Sequence, residues 1–203
     1  MPTLYYSPGA CALASHIAME EAGAPYDLKK IDLRAGEQRT PEYLAVNPKG
    51  STPALATAEG NLSENVAILA YIARSHPGKD LAPEDPWGFA QFVSFNAYLG
   101  GSVHPALGKV LFSRPPLEGQ AKTDATELAL SKLDMVETHL MKEPWALGDW
   151  SLSDGYLYVF ERWAFSAGLL DKARFPKLNA HLKAVQARPA VQRVLKVEGL
   201  EPL

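Results

Sequence analysis

The N-terminal stretch Leu4–Met19 constrains the fold more than any other part of the chain. A short apolar and aromatic run ends at the turn cluster Ser7-Pro8-Gly9, and a helical pattern starts directly after it. The only cysteine, Cys11, lies where this loop becomes the helix. Because the N-terminus of a helix carries unpaired N–H groups and a partial positive charge, we expect the thiol to lose its proton more easily than usual there. The same groups would hold a bound thiolate or carboxylate.

The single cysteine also bears on the class of protein. The usual fate of a lone free cysteine is a small buried core residue, but the Pro-Gly turn just before Cys11 makes that interpretation the weaker one. One cysteine excludes a disulfide framework and an intramolecular Cys-x-x-Cys couple, and it fits a reducing compartment. The sequence shows no signal-peptide pattern and no apolar run of membrane-spanning length, so we expect a soluble cytoplasmic protein.

Length and local pattern predict two domains. The 203 residues suffice for one large or two small domains, and a net charge of −3 without a basic block gives no reason to expect nucleic acid. Up to about Ser75 the pattern predicts the order β-α-β-α-β-β-α, which is typical of a thioredoxin-like domain with a mixed four-stranded sheet. A segment with three prolines and a glycine, His76–Pro86, follows and separates it from a part with helical patterns only. We predict a thioredoxin-like domain over residues 1–77, a linker over 78–86 and an all-helical domain over 87–203.

Two further stretches of the first domain are candidate ligand sites. Two prolines and a glycine force a turn-rich path through Asn47–Pro53. If the Thr52-Pro53 bond is cis, Thr52 presents its backbone N–H and C=O to a ligand; the sequence leaves the isomer open. The helix that starts at Ser63-Glu64-Asn65 offers a second N-terminus for an anion, although Ser63 and Asn65 are equally well explained as helix caps.

In the second half, two local patterns matter for function. Gly100 and Gly101 weaken a helix that begins at Pro86, and they place His104 before Pro105 on a loop-like segment. Ser151 and Asp154 have the spacing of a capping box, so Asp154 is predicted to be a folding determinant rather than a catalytic acid. Further helices are expected over residues 120–142, from Ser151, and over 176–187 and 189–197.

Several separated motifs occur in order, and together they resemble the beta class of bacterial glutathione S-transferases over essentially the whole chain. The Asn-Pro-x-Gly and x-Pro-x-Leu motifs are specific for the superfamily, and Pro-Gly-Ala-Cys points to the beta class. The motifs are Tyr6-Ser7-Pro8-Gly9-Ala10-Cys11, Val46-Asn47-Pro48-Lys49-Gly50, Thr52-Pro53-Ala54-Leu55, Ser63-Glu64-Asn65-Val66-Ala67-Ile68, Ser151-Leu152-Ser153-Asp154 and Arg188-Pro189-Ala190-Val191.

The resemblance implies a homodimeric enzyme that uses glutathione as co-substrate, requires no metal and acts on a small hydrophobic electrophile, with no nucleic-acid or membrane partner. It implies Cys11 and His104 as the catalytic residues beside the glutathione sulfur. Thr52 would pair with the peptide backbone of glutathione through a cis Thr52-Pro53 bond, and Glu64 and Asn65 would lie at its γ-glutamyl end. The full glutathione-binding set is Ala10, Cys11, Thr52, Pro53, Glu64, Asn65 and His104.

The hydrophobic substrate is expected to contact apolar side chains of the helical half together with the end of the first strand. The candidates are Tyr6, Phe112, Tyr156 and Trp163. Aromatic side chains at helical spacing are more often plain core, which is the alternative for all four.

Three positions depart from the family pattern. Asn65 stands where serine is more frequent, Pro105 stands where a lysine is common, and Ala12 replaces a frequent serine. One cationic contact to glutathione is therefore expected to be missing, and neither Arg34 nor Arg39 is a firm replacement.

The leading function is conjugation of the glutathione thiolate to an electrophile. Two alternatives stay open. One is glutathione-dependent thiol–disulfide exchange or reductive dehalogenation, in which Cys11 forms a mixed disulfide with glutathione. The other is a non-catalytic protein that binds glutathione or a hydrophobic ligand on the same scaffold.

Overall fold

The sheet of the computed structural model, which describes residues 1–203, has four strands in the order β2-β1-β3-β4. Strands β1 and β2 are parallel, whereas β1 with β3 and β3 with β4 are antiparallel. The predicted mixed four-stranded sheet is confirmed. The strands are β1 (Thr3–Tyr6), β2 (Asp27–Lys30), β3 (Ala54–Thr57) and β4 (Gly60–Ser63).

Three helices connect or follow these strands, and their ends have local causes. Gly23, with φ 69°, ends the first helix in the left-handed conformation that favours glycine. Thr40 caps the second helix by accepting a hydrogen bond from the Tyr43 N–H, and Pro41 occupies its first turn. The helices are α1 (Leu13–Ala22), α2 (Pro41–Val46) and α3 (Asn65–Ser75).

The rest of the chain forms no named strand, only helices, as predicted. Two π-helical turns, Leu99–Val103 and Val136–Leu140, extend the helices before them. The first turn corrects the prediction for His104: the two glycines do not open a loop, and His104 is the first residue of a helix that continues from the π turn. The helices are α4 (Pro86–Tyr98), α5 (His104–Phe112), α6 (Gly119–Met135), α7 (Leu152–Ser166), α8 (Pro176–Gln186) and α9 (Pro189–Glu198). None of them combines the length and apolar character needed to cross a membrane.

Helix α1 joins the two halves, because it packs against α3 on one side and against α7 and α9 on the other. The axes of α1 and α7 approach closely at Gly155, where an added Cβ would lie 3.1 Å from the Ile17 side chain. On the other flank, Arg188 forms two hydrogen bonds to the Glu21 carboxylate at 2.7 and 3.0 Å. Through α7 and α9, the helical half therefore contacts the helix that directly follows the Cys11 loop.

A buried charged cluster lies inside the helical half. His181 contacts Asp154 at 2.9 Å and Glu161 at 2.8 Å, and all three side chains are fully buried. Asp154 also closes the predicted capping box with Ser151 and accepts the Ala146 N–H at 2.7 Å. Its contacts are thus internal, in line with the structural role predicted for it.

Candidate functional site

The loop between β1 and α1 presents Cys11 to the cis-proline turn. Gly9 has φ 69°, which turns the chain, and Ala12 is the N-cap of α1, so Cys11 lies one residue before the cap. The Cys11 thiol donates a hydrogen bond of 3.4 Å to the carbonyl oxygen of Thr52. The Thr52-Pro53 bond is cis, as the resemblance implied. The cysteine and the turn thus form one surface, at which the thiol engages the Thr52 carbonyl oxygen.

The ionisation of Cys11 differs from the expectation based on sequence. Burial raises the pKa of the Cys11 thiol to about 11, and the negative charge of Glu64 adds to the effect. The backbone N–H groups of Cys11 and Ala12 and the Asn65 side chain act in the opposite direction but are outweighed. The expectation that Cys11 loses its proton easily was wrong. Burial disfavours the charged thiolate more strongly than the N–H groups at the start of the helix favour it.

The turn that ends at Thr52 is held by side chains of α2 and of the turn itself. The Ser51 carbonyl accepts hydrogen bonds from the Tyr43 hydroxyl at 2.7 Å and from the Asn47 amide at 2.6 Å. Gly50, with φ 61°, lies against the guanidinium of Arg39, which would be 2.6 Å from an added Cβ. Arg39 is exposed, so one free cation borders this turn.

The start of α3 supplies the third part of the site. Glu64 is its N-cap, with the unusual φ of 72° for a residue other than glycine, and no side chain caps the helix. The first N–H groups of α3 are therefore open to a ligand. The exposed Glu64 carboxylate pairs with Lys49 at 2.7 Å.

The Asn65 side chain points to the cysteine loop and to α1, which the sequence did not indicate. Its amide donates to the Cys11 carbonyl at 2.9 Å, and its oxygen accepts from the Ser15 hydroxyl at 2.6 Å. The residue is buried, with 5% exposure. Asn65 thus ties α3 to the cysteine loop and does not cap its own helix.

The helical half brings an aromatic wall to the site. The His104 ring lies 5.1 Å from that of Trp163, which lies 5.1 Å from Phe112 in an edge-on contact. Phe160 contacts His104 at 5.5 Å and Tyr156 at 5.0 Å, measured between ring centroids. Phe112 is 57% exposed. Three of the four predicted substrate residues thus belong to one cluster with His104.

The pKa values of two residues in this aromatic wall, His104 and Tyr156, respond to charges in the first domain. Burial lowers the pKa of His104, and the charge of Glu64 opposes that shift, so the two side chains are near enough for their charges to interact. Burial also raises the pKa of Tyr156, and the charge of Cys11 contributes. The Tyr156 hydroxyl lies close to the π turn at Gly100, where an added Cβ would be 3.1 Å from it, a tight contact that glycine avoids.

Tyr6 and Ala10 occupy other positions. The Tyr6 ring packs against His16 at 5.4 Å and is 7% exposed, and the aromatic wall is not among its ring contacts. Ala10 donates its N–H to the Ser7 carbonyl at 3.1 Å and is half-buried in the cysteine loop.

Sequence reasoning missed Glu198 and one contact of Trp163 in this region. Glu198, near the end of the chain, accepts the Gly9 N–H at 2.9 Å, and it contacts His16 at 2.7 Å. Trp163 was predicted as a substrate contact, but its indole N–H donates to the Gly9 carbonyl at 3.0 Å. No spacing pattern connects residues so far apart, so only an unexpected acid on the apolar side of α9 could have drawn attention to Glu198.

The site combines an open helix N-terminus, a backbone turn, a protonated thiol and an aromatic wall. The first two can hold the backbone and a carboxylate of an extended peptide. The wall suits an apolar substrate with a few polar groups beside it. No group of three or more His, Cys, Asp or Glu side chains is arranged to hold a metal ion.

Comparison with known proteins agrees with this geometry. Residues 1–74 match the family model for the N-terminal domain of glutathione S-transferases. Glutathione S-transferase GstA of Escherichia coli O157:H7 is 33% identical over 202 residues, which cover 98% of this chain and 99% of that protein. A glutathione transferase homologue from Sulfitobacter, solved with bound glutathione, superposes with a TM-score of 0.88 at 35% identity over 99% of both chains.

The beta class is represented among the structural matches. The bacterial beta-class glutathione S-transferase of Sphingomonas chungbukensis superposes with a TM-score of 0.85 at 36% identity, over 98% of this chain and 100% of that one. The match extends over both the sheet domain and the helical part. The chain therefore belongs to the glutathione S-transferase family and is a glutathione transferase of the bacterial type, as its motifs predicted.

Proposed function

We propose that glutathione binds along the cysteine loop, the Thr52-Pro53 turn and the start of α3. The peptide backbone of glutathione pairs with Thr52, and its γ-glutamyl carboxylate is held at the N-terminus of α3, where no side chain competes as a cap. Glu64 then receives the α-ammonium group. Support comes from the φ of 72° at Glu64, since strain of this kind is retained where the surrounding structure uses the residue.

Cys11 acts in this proposal as a hydrogen-bond donor to the glutathione sulfur. Its raised pKa keeps the thiol protonated near neutral pH, and a thiol, unlike a thiolate, is a poor nucleophile. In the free protein the thiol donates to the Thr52 carbonyl, the group that the glutathione backbone engages. The thiol can then turn to the glutathione thiolate and stabilise it. Because Cys11 acts as a hydrogen-bond donor and not as a nucleophile, we favour conjugation over a cycle in which Cys11 forms a mixed disulfide.

His104 and the aromatic wall complete the site from the helical half. Burial lowers the pKa of His104, so its imidazole is neutral at pH 7. Its ring N–H can then donate a hydrogen bond to the glutathione sulfur. A small hydrophobic electrophile lies against Phe112, Tyr156 and Trp163. Tyr6 stands outside this contact, because its ring faces His16.

The proposed organisation is that of a cytoplasmic homodimer with domains at 1–77 and 87–203 and a linker over 78–86. The linker limits are supported by the end of α3 at Ser75 and the start of α4 at Pro86. Trp87, at the start of α4, is 73% exposed and is a side chain that a second copy would cover. Sedimentation of the protein and of Trp87→Ala tests this organisation.

Two assays test the proposed chemistry. Purified protein is assayed for conjugation of glutathione to chloro-dinitrobenzene and for reduction of a glutathione mixed disulfide, with Cys11→Ala, His104→Ala and the exposed-histidine control His139→Ala. We expect His104→Ala to lower kcat for conjugation by at least about tenfold, and His139→Ala to have no effect. We expect Cys11→Ala to retain measurable conjugation. Disulfide reduction that is lost only in Cys11→Ala, without conjugation in the parent protein, would contradict the proposal. Tight glutathione binding with neither activity would indicate a binding protein.

A further inference from the structure

The backbone of Gly9 is held by the helical half at both its N–H and its carbonyl group. Its N–H donates to Glu198 Oε2 at 2.9 Å, and its carbonyl oxygen accepts the Trp163 indole N–H at 3.0 Å. Gly9 precedes Cys11 by two residues and has φ 69°, a conformation in which glycine has no side-chain strain. The two bonds thus act on the residue that sets the direction of the cysteine loop.

Glu198 is itself firmly held. Its second oxygen contacts His16 Nδ1 at 2.7 Å, and both side chains are completely buried. The His16 ring lies between Tyr6 and Tyr26, at centroid distances of 5.4 and 5.9 Å. Leu200 follows Glu198 and packs against Gly9, with its Cδ2 3.4 Å from the position of an added Cβ. The end of the chain is therefore a rigid support for the loop.

We propose that Glu198 and Trp163 are positioning residues for Cys11, which they hold in place through the backbone N–H and carbonyl of Gly9. The strand and helix of the first domain anchor the two ends of the loop, and Asn65 holds the Cys11 carbonyl. Gly9, in the middle of the loop, receives its side-chain hydrogen bonds only from α7 and the end of α9. Together with the Asn65 hydrogen bond, both contacts set the location of the sulfur relative to Thr52, and hence to glutathione bound in the way proposed above. The C-terminal helix is thereby part of the machinery of a site whose ligand lies on the other domain.

Cys11 is the only cysteine of the chain, so alkylation by iodoacetamide in the absence of glutathione reports on this loop alone. Its ionisation responds to the groups that face it, namely Glu64 and Asn65 from α3, Tyr156 from α7 and the N–H groups of its own loop. Loss of the hydrogen bond from Gly9 to Glu198, or of that from Trp163 to Gly9, loosens the loop and hydrates the thiol, which moves the alkylation profile to lower pH. We expect Glu198→Ala and Trp163→Phe to show this shift, together with a rise of at least about threefold in KM for glutathione.

Two variants separate positioning from plain stability. Glu198→Gln keeps an oxygen that accepts from the Gly9 N–H, and its amide can donate to His16 Nδ1 when the imidazole carries its proton on Nε2. We therefore expect an alkylation profile and a KM close to those of the parent protein. Glu201→Ala removes an exposed acid from the same terminal segment and is the control for charge.

The proposal is overturned if folded Glu198→Ala and Trp163→Phe keep the parent alkylation profile and KM, even with lower melting temperatures. It is also overturned if Glu198→Gln is as impaired as Glu198→Ala, since the charge and not the hydrogen bond would then matter. Where Glu198→Ala does not fold, Trp163→Phe decides, because it removes one N–H donor and keeps an aromatic ring.

Discussion

The side-chain amide of Asn65 donates a hydrogen bond of 2.9 Å to the carbonyl oxygen of Cys11, across 54 residues of sequence. The same side chain accepts from Ser15 at 2.6 Å. One residue at the start of α3 thus fixes the cysteine loop and the first turn of α1, and it does so from a buried position where water cannot replace it.

Asn65→Ala is therefore expected to destabilise the protein. The change leaves the Ser15 hydroxyl and the Cys11 carbonyl without their partner, which costs about 1–3 kcal/mol of unfolding free energy. Urea denaturation measures this value. Asn61→Ala, in the exposed β4 strand, is the control and should change the free energy of unfolding by less than about 0.5 kcal/mol. Equal stability of the two variants would show that the Asn65 bonds contribute nothing net.

Glu64 allows backbone strain and ligand contact to be measured separately. Because its φ is 72°, Glu64→Gly relieves strain whereas Glu64→Ala keeps it, and both remove the carboxylate. We expect the glycine variant to be more stable than the alanine variant by about 1 kcal/mol. We expect the KM for glutathione to rise equally in both. A KM that rises only in the glycine variant would assign the effect to the backbone and not to the carboxylate.

Cys11 should react slowly with thiol reagents at neutral pH. Its pKa of about 11 leaves a far smaller thiolate fraction than that of an ordinary cysteine, with a pKa near 8.5. The greater nucleophilicity of a more basic thiolate recovers part of the loss, so we expect alkylation at pH 7 to be about twentyfold slower than for free glutathione. The rate should keep rising towards pH 11. A plateau below pH 8 would show a thiolate that burial does not suppress.

The buried cluster of the helical half predicts how stability depends on pH. Burial lowers the pKa of His181, but the charges of Glu161 and Asp154 and the hydrogen bonds to them raise it to about 10, well above the usual 6.5. A group whose pKa is higher in the folded state stabilises fully below its unfolded pKa and loses that contribution as the pH rises through its folded pKa. The unfolding free energy of the protein should therefore fall as the pH rises from about 6.5 to about 10.

His181→Gln isolates that contribution. Glutamine keeps a hydrogen-bonding side chain but does not titrate, so the decline with pH should be much shallower in the variant than in the parent protein. Chemical denaturation at several pH values compares the two slopes. Parallel slopes would mean that His181 is not charged in the folded state.

Local sequence predicted much of the fold and part of the site. The order of strands and helices up to Ser75 follows from turns and caps that involve neighbouring residues, such as Thr40 with Tyr43. The sequence predicts Phe112, Tyr156 and Trp163 of the helical half as substrate contacts, and in the structure these aromatic side chains form one cluster. The π turn at Leu99–Val103 was not foreseen, because two adjacent glycines favour a break unless neighbouring helices support the chain.

The sequence by itself determined the family, the strand–loop–helix unit around Cys11 and the turn at Thr52-Pro53, since these depend on residues within a few positions of one another. Only the tertiary structure decided how Cys11 ionises, where Asn65 points and what holds Gly9. Each of these depends on burial or on partners far away in the chain, and the extreme case is Gly9 and Glu198, which lie 189 positions apart. Desolvation and long-range hydrogen bonds arise when distant segments pack together, so a local sequence pattern cannot predict them.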